Sequence, residues 1–238
     1  MRALDYTLDD IHHDLALDEA LLIAAEERGA GPLLRFWERP TLAVVLGASR
    51  KEAEDVHLET CHADGVTIAR RGSGGGTVLL GPGALNIALV LEVKSHPDLG
   101  TVNGAQAYVL GRCAEAISGL GASVEVRGSG DLTVRDRKCA GSAQRRLRDH
   151  VLVHASILYD FNLSLIAEYL REPSRRPDYR GDRAHEAFVT NLKLPRARIA
   201  TVLRDAFKAA ESTFDIPQDL VTELVATKYA DPEWISRL

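Results

Sequence analysis

Apolar positions along the chain repeat with two spacings, one helical and one extended. Residues 14–28 show the helical spacing, with Leu15 and Leu22 on one side, Asp14 near the N-cap position and Gly29 after the last turn. The same criteria predict helices over 51–64, 103–120, 163–170, 197–212 and 220–229. Extended apolar segments predict strands over 33–37, 42–46, 65–69, 77–80, 85–93, 124–126, 131–134 and 151–159. Strand clusters separated by scattered helices, without strict alternation, indicate an α+β fold.

Length and charge narrow this picture. The chain has 238 residues and shows neither an internal repeat nor a low-complexity linker, so we expect one domain over residues 1–238. Apolar residues make up 45% of the chain and charged residues 26%, as in ordinary globular proteins. The net charge of −5 argues against nucleic acid or an anionic membrane as a partner. No apolar run approaches the roughly 20 residues that span a bilayer.

The terminus and the cysteines indicate a compartment. The first ten residues are acidic and lack the apolar core of a signal peptide. Cys61, Cys113 and Cys139 are odd in number and have no CxxC spacing, which argues against a disulfide framework or a zinc site. This pattern fits a reducing cytoplasm. Residues 182–186 contain aspartate, histidine and glutamate without the HExxH spacing, so we assign no bound metal.

A glycine-rich segment between two apolar strands is the first candidate site. Arg70 and Arg71 precede residues 72–76, of which four are glycine. Glycines let the backbone turn and let a ligand approach the N–H groups, and successive N–H groups form an anion-binding concavity. Guanidinium groups bind phosphate or carboxylate through paired hydrogen bonds. We therefore favour an anion-binding loop over a solvated turn.

A lysine followed by small residues is the second candidate site. Lys138 lies just before Ala140, Gly141, Ser142 and Ala143, which leave room for a ligand or a neighbouring backbone. A lysine ammonium can approach a carboxylate or phosphoryl oxygen and stabilise charge that develops there. An isolated lysine is normally solvated, and only the small residues beside it make this one a candidate.

The second candidate site lies in a basic segment of an acidic protein. Residues 127–148 contain seven lysine and arginine residues but only two aspartates. The segment is either a solvated face or a docking surface for an acidic partner, here represented by Arg145 and Arg146. RNA is disfavoured, because no aromatic residues are interleaved with the charges.

Three further side chains have possible chemical roles. Cys139 is interpreted as a packed residue rather than a nucleophile, because neighbours on a strand face opposite sides. His154 lies in a strand pattern and either faces the site or is structural. Ser73 lacks the GxSxG setting of a serine hydrolase.

Taken together, the two candidate sites resemble the catalytic domain of lipoate–protein ligases, within the biotin/lipoate ligase superfamily. The matching motifs are Arg-Arg-Gly-Ser-Gly-Gly-Gly-Thr-Val at 70–78, Gly-Ala-Leu-Asn at 83–86, Asp-Leu at 131–132 and Arg-Lys-Cys-Ala-Gly-Ser-Ala at 137–143. Weaker matches at 14–19, 154–158, 190–192 and 228–234 extend the resemblance over nearly the whole chain.

The resemblance implies a fold and a reaction. The fold is a central mixed β-sheet flanked by helices, like that of class II aminoacyl-tRNA synthetases and biotin ligases. The carboxylate of lipoate or octanoate attacks ATP, with Mg²⁺, to give an acyl-adenylate, and the acyl group then passes to a lysine of an acceptor. The implied acceptors are the glycine-cleavage H protein and dehydrogenase E2 domains.

The resemblance also assigns roles to residues. Lys138 is the expected catalytic residue, bridging the carboxylate and the α-phosphate, and Asp131 either orients it or helps to hold Mg²⁺. Leu17, Val78 and Leu79 are expected to line an acyl tunnel. The residues implied to bind substrates are Arg70, Arg71, Ser73, Gly74, Gly75, Gly76, Thr77, Val78, Leu79, Gly83, Asn86, Asp131, Gly141, Ser142, Ala143 and His154.

The chain departs from the family pattern at four places. Leu80-Gly81 replaces a frequent His-Asp pair, Gly130 replaces an asparagine, and Pro82 stiffens the turn before Gly83. The chain stops at Leu238, where many ligases continue into an accessory domain that some relatives supply as a separate polypeptide. We expect weaker adenylate formation without that partner.

Two alternatives stay open. Related acyltransferases take octanoate from acyl carrier protein through a cysteine thioester, without ATP. Neither residues 127–130 nor the chain after Cys139 contains a cysteine, so the ligase is favoured. A non-catalytic homologue that binds acyl groups or lipoyl proteins is disfavoured by retention of Arg71, the glycines and Lys138.

Overall fold

The computed structural model describes residues 1–173, 176–212 and 215–238. Its strands are β1 (Arg2–Asp5), β2 (Leu33–Trp37), β3 (Ala43–Leu46), β4 (Thr67–Arg70), β5 (Val78–Leu80), β6 (Ala84–Glu92), β7 (Val124–Arg127), β8 (Asp131–Val134), β9 (Arg137–Arg146), β10 (His150–Leu158) and β11 (Ala210–Glu211). Its α-helices are α1 (Ile11–Arg28), α2 (Glu52–Asp55), α3 (Leu58–Ala63), α4 (Val102–Ser118), α5 (Ser164–Tyr169), α6 (His185–Phe188), α7 (Arg196–Ala206), α8 (Gln218–Leu224) and α9 (Pro232–Ser236).

The described strands form two sheets. The larger sheet has the strand order β11-β1-β2-β6-β10-β9-β8-β7 and mixes parallel and antiparallel pairs. The smaller sheet has the order β4-β3-β5. This arrangement confirms the mixed α+β fold. In the part of the chain that the structure describes, no helix is both long and apolar enough to span a membrane.

The larger sheet is buried on both faces. In β6, Ile87 and Leu89 pack with helices α4 and α7 in one apolar cluster. The intervening Ala88 and Val90 pack with α1 in a second cluster on the opposite face. Because successive side chains of a strand face opposite sides, this strand is apolar throughout instead of alternating.

Helix α1 begins earlier than its apolar pattern predicts. Asp10 is the N-cap, and its side chain accepts a hydrogen bond from the His13 N–H. Asp14, expected near the cap, is instead fully buried and pairs with Arg35 and Arg39. The helix ends as predicted at Gly29, whose φ of +66° is left-handed.

The apolar pattern missed strands β1 and β9, and β9 is the one that bears on the candidate site. Its ten residues contain no β-branched or aromatic side chain, so local propensity for a strand is low. The segment is extended because it pairs with β8 on one side and β10 on the other. A bulge between β8 and β9 shifts the register, pairing Thr133 with Lys138 and Leu132 with Ala140. This strand carries the candidate lysine.

Other boundaries needed tertiary contacts. The helix predicted over 197–212 ends at Ala206, and Ala210–Glu211 pairs with β1 instead. The helix predicted over 51–64 is two short helices, and 220–229 is α8 followed by a π-helical turn, Val225–Tyr229.

Candidate active site

Two adjoining cavities lie between the two sheets. The larger has a volume of about 440 Å³ and the smaller about 110 Å³. Six residues line both: Gly76, Thr77, Val78, Lys138, Gly141 and Ser156. The glycine-rich loop and the lysine strand, sixty residues apart in sequence, therefore meet where the cavities join.

Lys138 is held at this junction by one carboxylate. Its Nζ lies 2.7 Å from Asp131 Oδ1, and its side chain is 31% exposed. The other oxygen, Asp131 Oδ2, accepts a hydrogen bond of 2.7 Å from the Tyr179 hydroxyl. Burial, and to a lesser extent the hydrogen bond to Asp131, raises the pKa of Tyr179 far above its ordinary value. The phenol therefore stays protonated and donates the hydrogen bond. Asp131 therefore orients Lys138.

Gly141 makes room for the lysine. A Cβ at this position would lie 2.8 Å from Lys138 Nζ. Gly141 is also the cross-strand partner of Asp131. The glycine of the small-residue run thus leaves the space that the end of the lysine side chain occupies.

The glycine-rich loop is shaped by Arg71. Its guanidinium donates to the carbonyl oxygens of Gly74 and Gly76, both at 2.7 Å, and to Val45 O at 3.3 Å. Its Nε donates to Ser73 Oγ at 3.0 Å. Burial lowers the pKa of Arg71 to about 10, so the group is still charged at neutral pH. The structure gives Arg71 a role in holding the loop, and contact with a bound anion stays a prediction.

The loop packs tightly against strand β3. Gly75 has a φ of +89°, and a Cβ on Gly47 would lie 2.1 Å from the Gly75 carbonyl oxygen. The Gly74 and Gly76 carbonyls face the Arg71 guanidinium. In a planar trans peptide the C=O and the N–H of the following residue point in opposite directions. The N–H groups of Gly75 and Thr77 therefore point away from Arg71. Both residues line the larger cavity.

His154 supports the loop from the larger sheet. Its Nε2 lies 2.6 Å from Ser73 Oγ. Burial, with a smaller effect from the charge of Arg71, lowers the pKa of His154 to about 3, so the imidazole is neutral. Arg71 donates to Ser73 Oγ, and the tautomer of the neutral imidazole decides whether the serine hydroxyl donates to His154 or accepts from it.

Five of the residues expected to bind substrates line neither cavity. Among the residues that the structure describes, these are Arg70, Ser73, Gly74, Gly83 and Asp131. Ser73 and Asp131 instead bind the lining residues His154 and Lys138. The Arg70 guanidinium is buried and donates to the carbonyls of Gly47 and Ile235. Gly83 is required by a turn, because its φ is +90° and a Cβ would overlap the backbone of Asp160. Leu17 is also buried in the core rather than at an acyl tunnel.

The other expected residues lie at the cavities. The larger cavity is lined by Gly75 and Leu79, and the smaller by Asn86, Ser142, Ala143 and His154. The Ser142 hydroxyl donates to Gly130 O, and Asn86 Oδ1 accepts from Ser156. Gln106 from α4 donates to Ser142 Oγ at 3.2 Å and fills the space where a residue-130 side chain would begin.

Several lining residues escaped the sequence analysis. The larger cavity is bordered by Arg50, Asp55, Arg171, Arg180, His185 and Phe188, and the smaller by Asp18 and Trp37. The Thr77 hydroxyl and Arg50 both bind Asp55. Asp18 lies in a motif that matched the family, but the other residues follow no recognisable spacing. Tyr179, which binds Asp131, was missed for the same reason.

Arg145 and Arg146, the arginines expected to dock a partner, both form contacts with other residues of the chain. Arg145 pairs with Glu19 at 2.9 Å, and Arg146 donates to Leu99 O at 2.6 Å. Both side chains remain partly exposed, and their part in docking an acidic partner stays a prediction.

The cysteines and carboxylates limit the available chemistry. Cys61, Cys113 and Cys139, all within the described residues, are buried and line neither cavity. Burial raises the pKa of Cys113 and Cys139 to about 12, which confirms Cys139 as a packed residue. Over the described ranges, no three histidine, cysteine, aspartate or glutamate side chains converge as a metal site.

Known proteins resemble this chain over most of its length. The family model of the lipoyl protein ligase A/B catalytic domain matches residues 10–210. Octanoyltransferase LipM of Brevibacillus brevis is 29% identical over 264 residues, covering 93% of each chain. Probable lipoate-protein ligase A of Mycoplasma pneumoniae is 25% identical. The match covers 81% of this chain but only 56% of the length of that protein. A crystal structure of lipoate-protein ligase A bound with ATP shares the fold, with a TM-score of 0.84, 23% identity and coverage of 100% and 99%.

Proposed function

Because the chain belongs to the lipoyl protein ligase A/B catalytic domain family, we propose that it joins a lipoyl or octanoyl group to a lysine of an acceptor protein, using ATP. Residues 1–238 are taken as one catalytic domain. The acceptors proposed from the family resemblance are the lipoyl domains of dehydrogenase E2 subunits and the glycine-cleavage H protein.

The position of Lys138 carries this proposal. It lies where a narrow cavity with several apolar walls meets a wider one. This placement suits a substrate whose carboxylate is at the junction, whose acyl chain is in the smaller cavity and whose second reactant is in the larger one. In this arrangement the ammonium group would contact the substrate carboxylate, and Asp131 holds the ammonium in position.

The chemistry proceeds in two transfers. A carboxylate oxygen attacks the α-phosphorus of ATP, the bond to the β-phosphate oxygen breaks, and pyrophosphate leaves. Lys138 offsets the negative charge that accumulates on the oxygens shared by the carboxylate and the α-phosphate. The neutral amine of the acceptor lysine then attacks the acyl carbonyl, AMP leaves, and the amine loses a proton to give the amide.

The glycine loop suits the nucleotide side of the reaction. The N–H groups of Gly75 and Thr77 face away from Arg71, and both residues line the larger cavity. Backbone N–H groups in such a turn bind phosphate oxygens without adding a counter-charge. Mg²⁺ would enter with the triphosphate and be bound mainly by its oxygens and water. The described side chains at the cavities offer no separate site for the ion, since Asp131 binds Lys138 and Tyr179, and Asp55 binds Arg50.

Transfer from an acyl carrier thioester is the second candidate. It is favoured by the LipM octanoyltransferase, which matches this chain over 93% of both lengths. A covalent thioester on this chain would need a thiol at the junction, and the three cysteines are buried elsewhere. The carrier thioester would then have to be attacked directly by the acceptor lysine.

One assay separates the two candidates. The purified chain is incubated with a lipoyl domain, Mg²⁺ and either lipoate plus ATP or octanoyl-acyl carrier protein, and the domain is weighed by mass spectrometry. The proposal expects acylated domain and released pyrophosphate only with ATP. Acylation from octanoyl carrier protein that ATP does not change would replace the ligase by the transferase.

A further inference from the structure

A buried carboxylate contacts the start of the glycine loop, residues 72–76. Glu19 of helix α1 is 3% exposed. Its oxygens accept from Lys228 Nζ at 2.7 and 3.0 Å and pair with Arg145 at 2.9 Å, and the Tyr229 hydroxyl donates to Oε2. A carboxylate with this many donors ties together the elements that supply them, here strand β9 and the C-terminal segment, residues 225–237.

The first residue of the loop packs against this carboxylate. A Cβ on Gly72 would lie 2.8 Å from Glu19 Oε2 and 2.5 Å from Arg145 Nη1. It would lie 3.1 Å from Lys228 Nζ. The Arg145 guanidinium also donates to the Gly72 carbonyl oxygen at 3.4 Å. The position of Gly72 is therefore set by the Glu19 cluster, which consists of Glu19, Arg145, Lys228 and Tyr229.

A second contact holds the residues just before the loop. The Trp234 indole N–H donates to Arg70 O at 2.9 Å, and Arg70 Nε donates to Ile235 O at 2.8 Å. Lys228 Nζ lies 4.6 Å from the centre of the Trp234 ring, as in a cation–π contact. The lysine thus joins this contact to the Glu19 cluster, and residues 70–72 are held at two adjacent points.

The C-terminal contacts come from an uncommon kind of helical turn. Val225–Tyr229 is π-helical, and its last two residues, Lys228 and Tyr229, both bind Glu19. Such turns are rare and occur frequently at functional sites. Among the described residues, no member of the Glu19 cluster lines the larger or the smaller cavity. Substrate binding therefore does not explain why these side chains converge on Gly72.

The loop connects this cluster to the larger cavity over a few residues. Gly75, Gly76 and Thr77 line that cavity shortly after Gly72. Because so short a segment carries a shift of its first residue to its last, a displaced Gly72 would also move the N–H groups of Gly75 and Thr77. Displacements of about 1 Å, even when caused far from the reacting atoms, can be costly to a reaction.

We propose that Glu19 is a positioning residue for the glycine loop, and that it acts through Lys228 and Gly72 to hold the loop in the form that binds the nucleotide. The effect on turnover rests on the proposed ATP-dependent transfer, whereas the effect on the loop does not. Neutralising Glu19 leaves Lys228 and Arg145 without their shared counter-ion beside Gly72. Their repulsion then separates the two cations and displaces the start of the loop.

The test compares two glutamates of the same helix. Glu19→Gln removes the charge with little change in shape, and Glu26→Gln is the matched control. Glu26 lies about two turns further along α1, on the same side, and also accepts several hydrogen bonds. Its partners belong to the β9–β10 turn rather than to the loop, namely the N–H groups of Arg148 and Asp149 and the ring of His150.

Amide hydrogen exchange measures the loop directly and needs no substrate. The N–H groups of Ala48 and Arg71 donate to the carbonyls of Ser73 and Leu46, at 2.9 and 3.0 Å, and so close the base of the loop. Exchange at these two amides is followed by nuclear magnetic resonance. We expect it to be about tenfold faster in Glu19→Gln and unchanged in the control, because only the first variant loosens this base.

Transfer assays show whether the displaced loop affects the reaction. The KM for ATP should rise about fivefold in Glu19→Gln, while the KM for lipoate changes less than about twofold. Trp234→Phe removes the N–H that binds Arg70 and keeps a ring beside Lys228, so it should have the same effects to a smaller extent. This second variant keeps the inference testable if Glu19→Gln does not fold.

The outcomes separate this inference from the proposed function. An exchange rate or a KM for ATP that is unchanged in Glu19→Gln, or altered equally in Glu26→Gln, would overturn the positioning role. If the unaltered protein does not use ATP, the ligase proposal fails, and the exchange measurement still decides whether Glu19 positions the loop.

Discussion

The glycine loop and the lysine strand are both cationic, but their charges have different surroundings. The Arg71 guanidinium is buried and donates to three carbonyls and one hydroxyl of its own chain. The Lys138 ammonium has one ion pair, is partly exposed and lies at both cavities. A cationic side chain whose donors all bind backbone carbonyls holds the loop in its conformation. A cationic side chain with a single partner can still bind a substrate.

The sharpest difference is expected at Lys138. Replacing it with alanine should reduce acyl transfer about 10³-fold, because the charge nearest the reacting carboxylate is lost. The thermal midpoint should change little, since the pair with Asp131 is partly exposed. Lipoyl-domain acylation and thermal unfolding are measured side by side. Lys193→Ala is the matched control, because Lys193 also pairs with one aspartate, Asp160, at 2.8 Å but lies away from the cavities. Equal activity in the two variants would remove Lys138 from the reaction.

Arg71→Lys tests whether the loop needs the several N–H donors of a guanidinium group or only a positive charge. A lysine cannot reach the carbonyls of Gly74, Gly76 and Val45 together, so we expect a loss of about 3 kcal/mol in unfolding free energy from unpaired buried acceptors. Urea unfolding measures this loss. Arg112→Lys is the control, because Arg112 donates to a single carbonyl of Ala206. Full activity and stability in Arg71→Lys would show that charge alone is required.

His154 should make the free energy of unfolding decrease at acidic pH. Its folded pKa of about 3 lies below the ordinary value of 6.5, so the unfolded chain binds a proton that the folded chain rejects. Stability from this group is therefore present above pH 6.5 and is lost as the pH falls towards 3, by about 2 kcal/mol between pH 7 and 5.

The comparison for this prediction is a His154→Gln variant. Asp18, whose pKa is raised to about 6, acts in the opposite direction and cancels when the two proteins are compared. Unfolding free energies at pH 5 and 7 should show a smaller acid loss in the variant. Parallel pH dependences would mean that His154 is not held neutral.

Tyr179→Phe is expected to have the smallest effect. It removes the hydrogen bond that holds Asp131, so Lys138 becomes less well placed, and kcat should fall about fivefold. Tyr169→Phe is the control, because Tyr169 donates to Asp64 in the same way, at 2.9 Å, but lines neither cavity. An equal effect of both substitutions would indicate general destabilisation.

The contrast between the two regions was only partly visible in the sequence. The glycine run, Lys138, Gly141 and Asp131 could be identified because a motif states which residue types occur at which spacing. The pairing of Arg70 and Arg71 predicted two anion-binding groups. The structure separates them, since Arg70 faces the C-terminal segment and Arg71 faces the loop.

The sequence by itself determined the class of fold, most helices and strands, and the family, because apolar periodicity and motif spacing are local properties of the chain. Strand β9, the contact of Tyr179 with Asp131, and the buried pair of Asp18 with Arg35 were decided only by the tertiary structure. Each depends on partners distant in sequence: two flanking strands, a carboxylate 48 residues away, and a buried arginine. Burial and hydrogen-bond pairing are properties of three-dimensional neighbours, so the same side chain becomes a support or a reactive group only after the chain has folded.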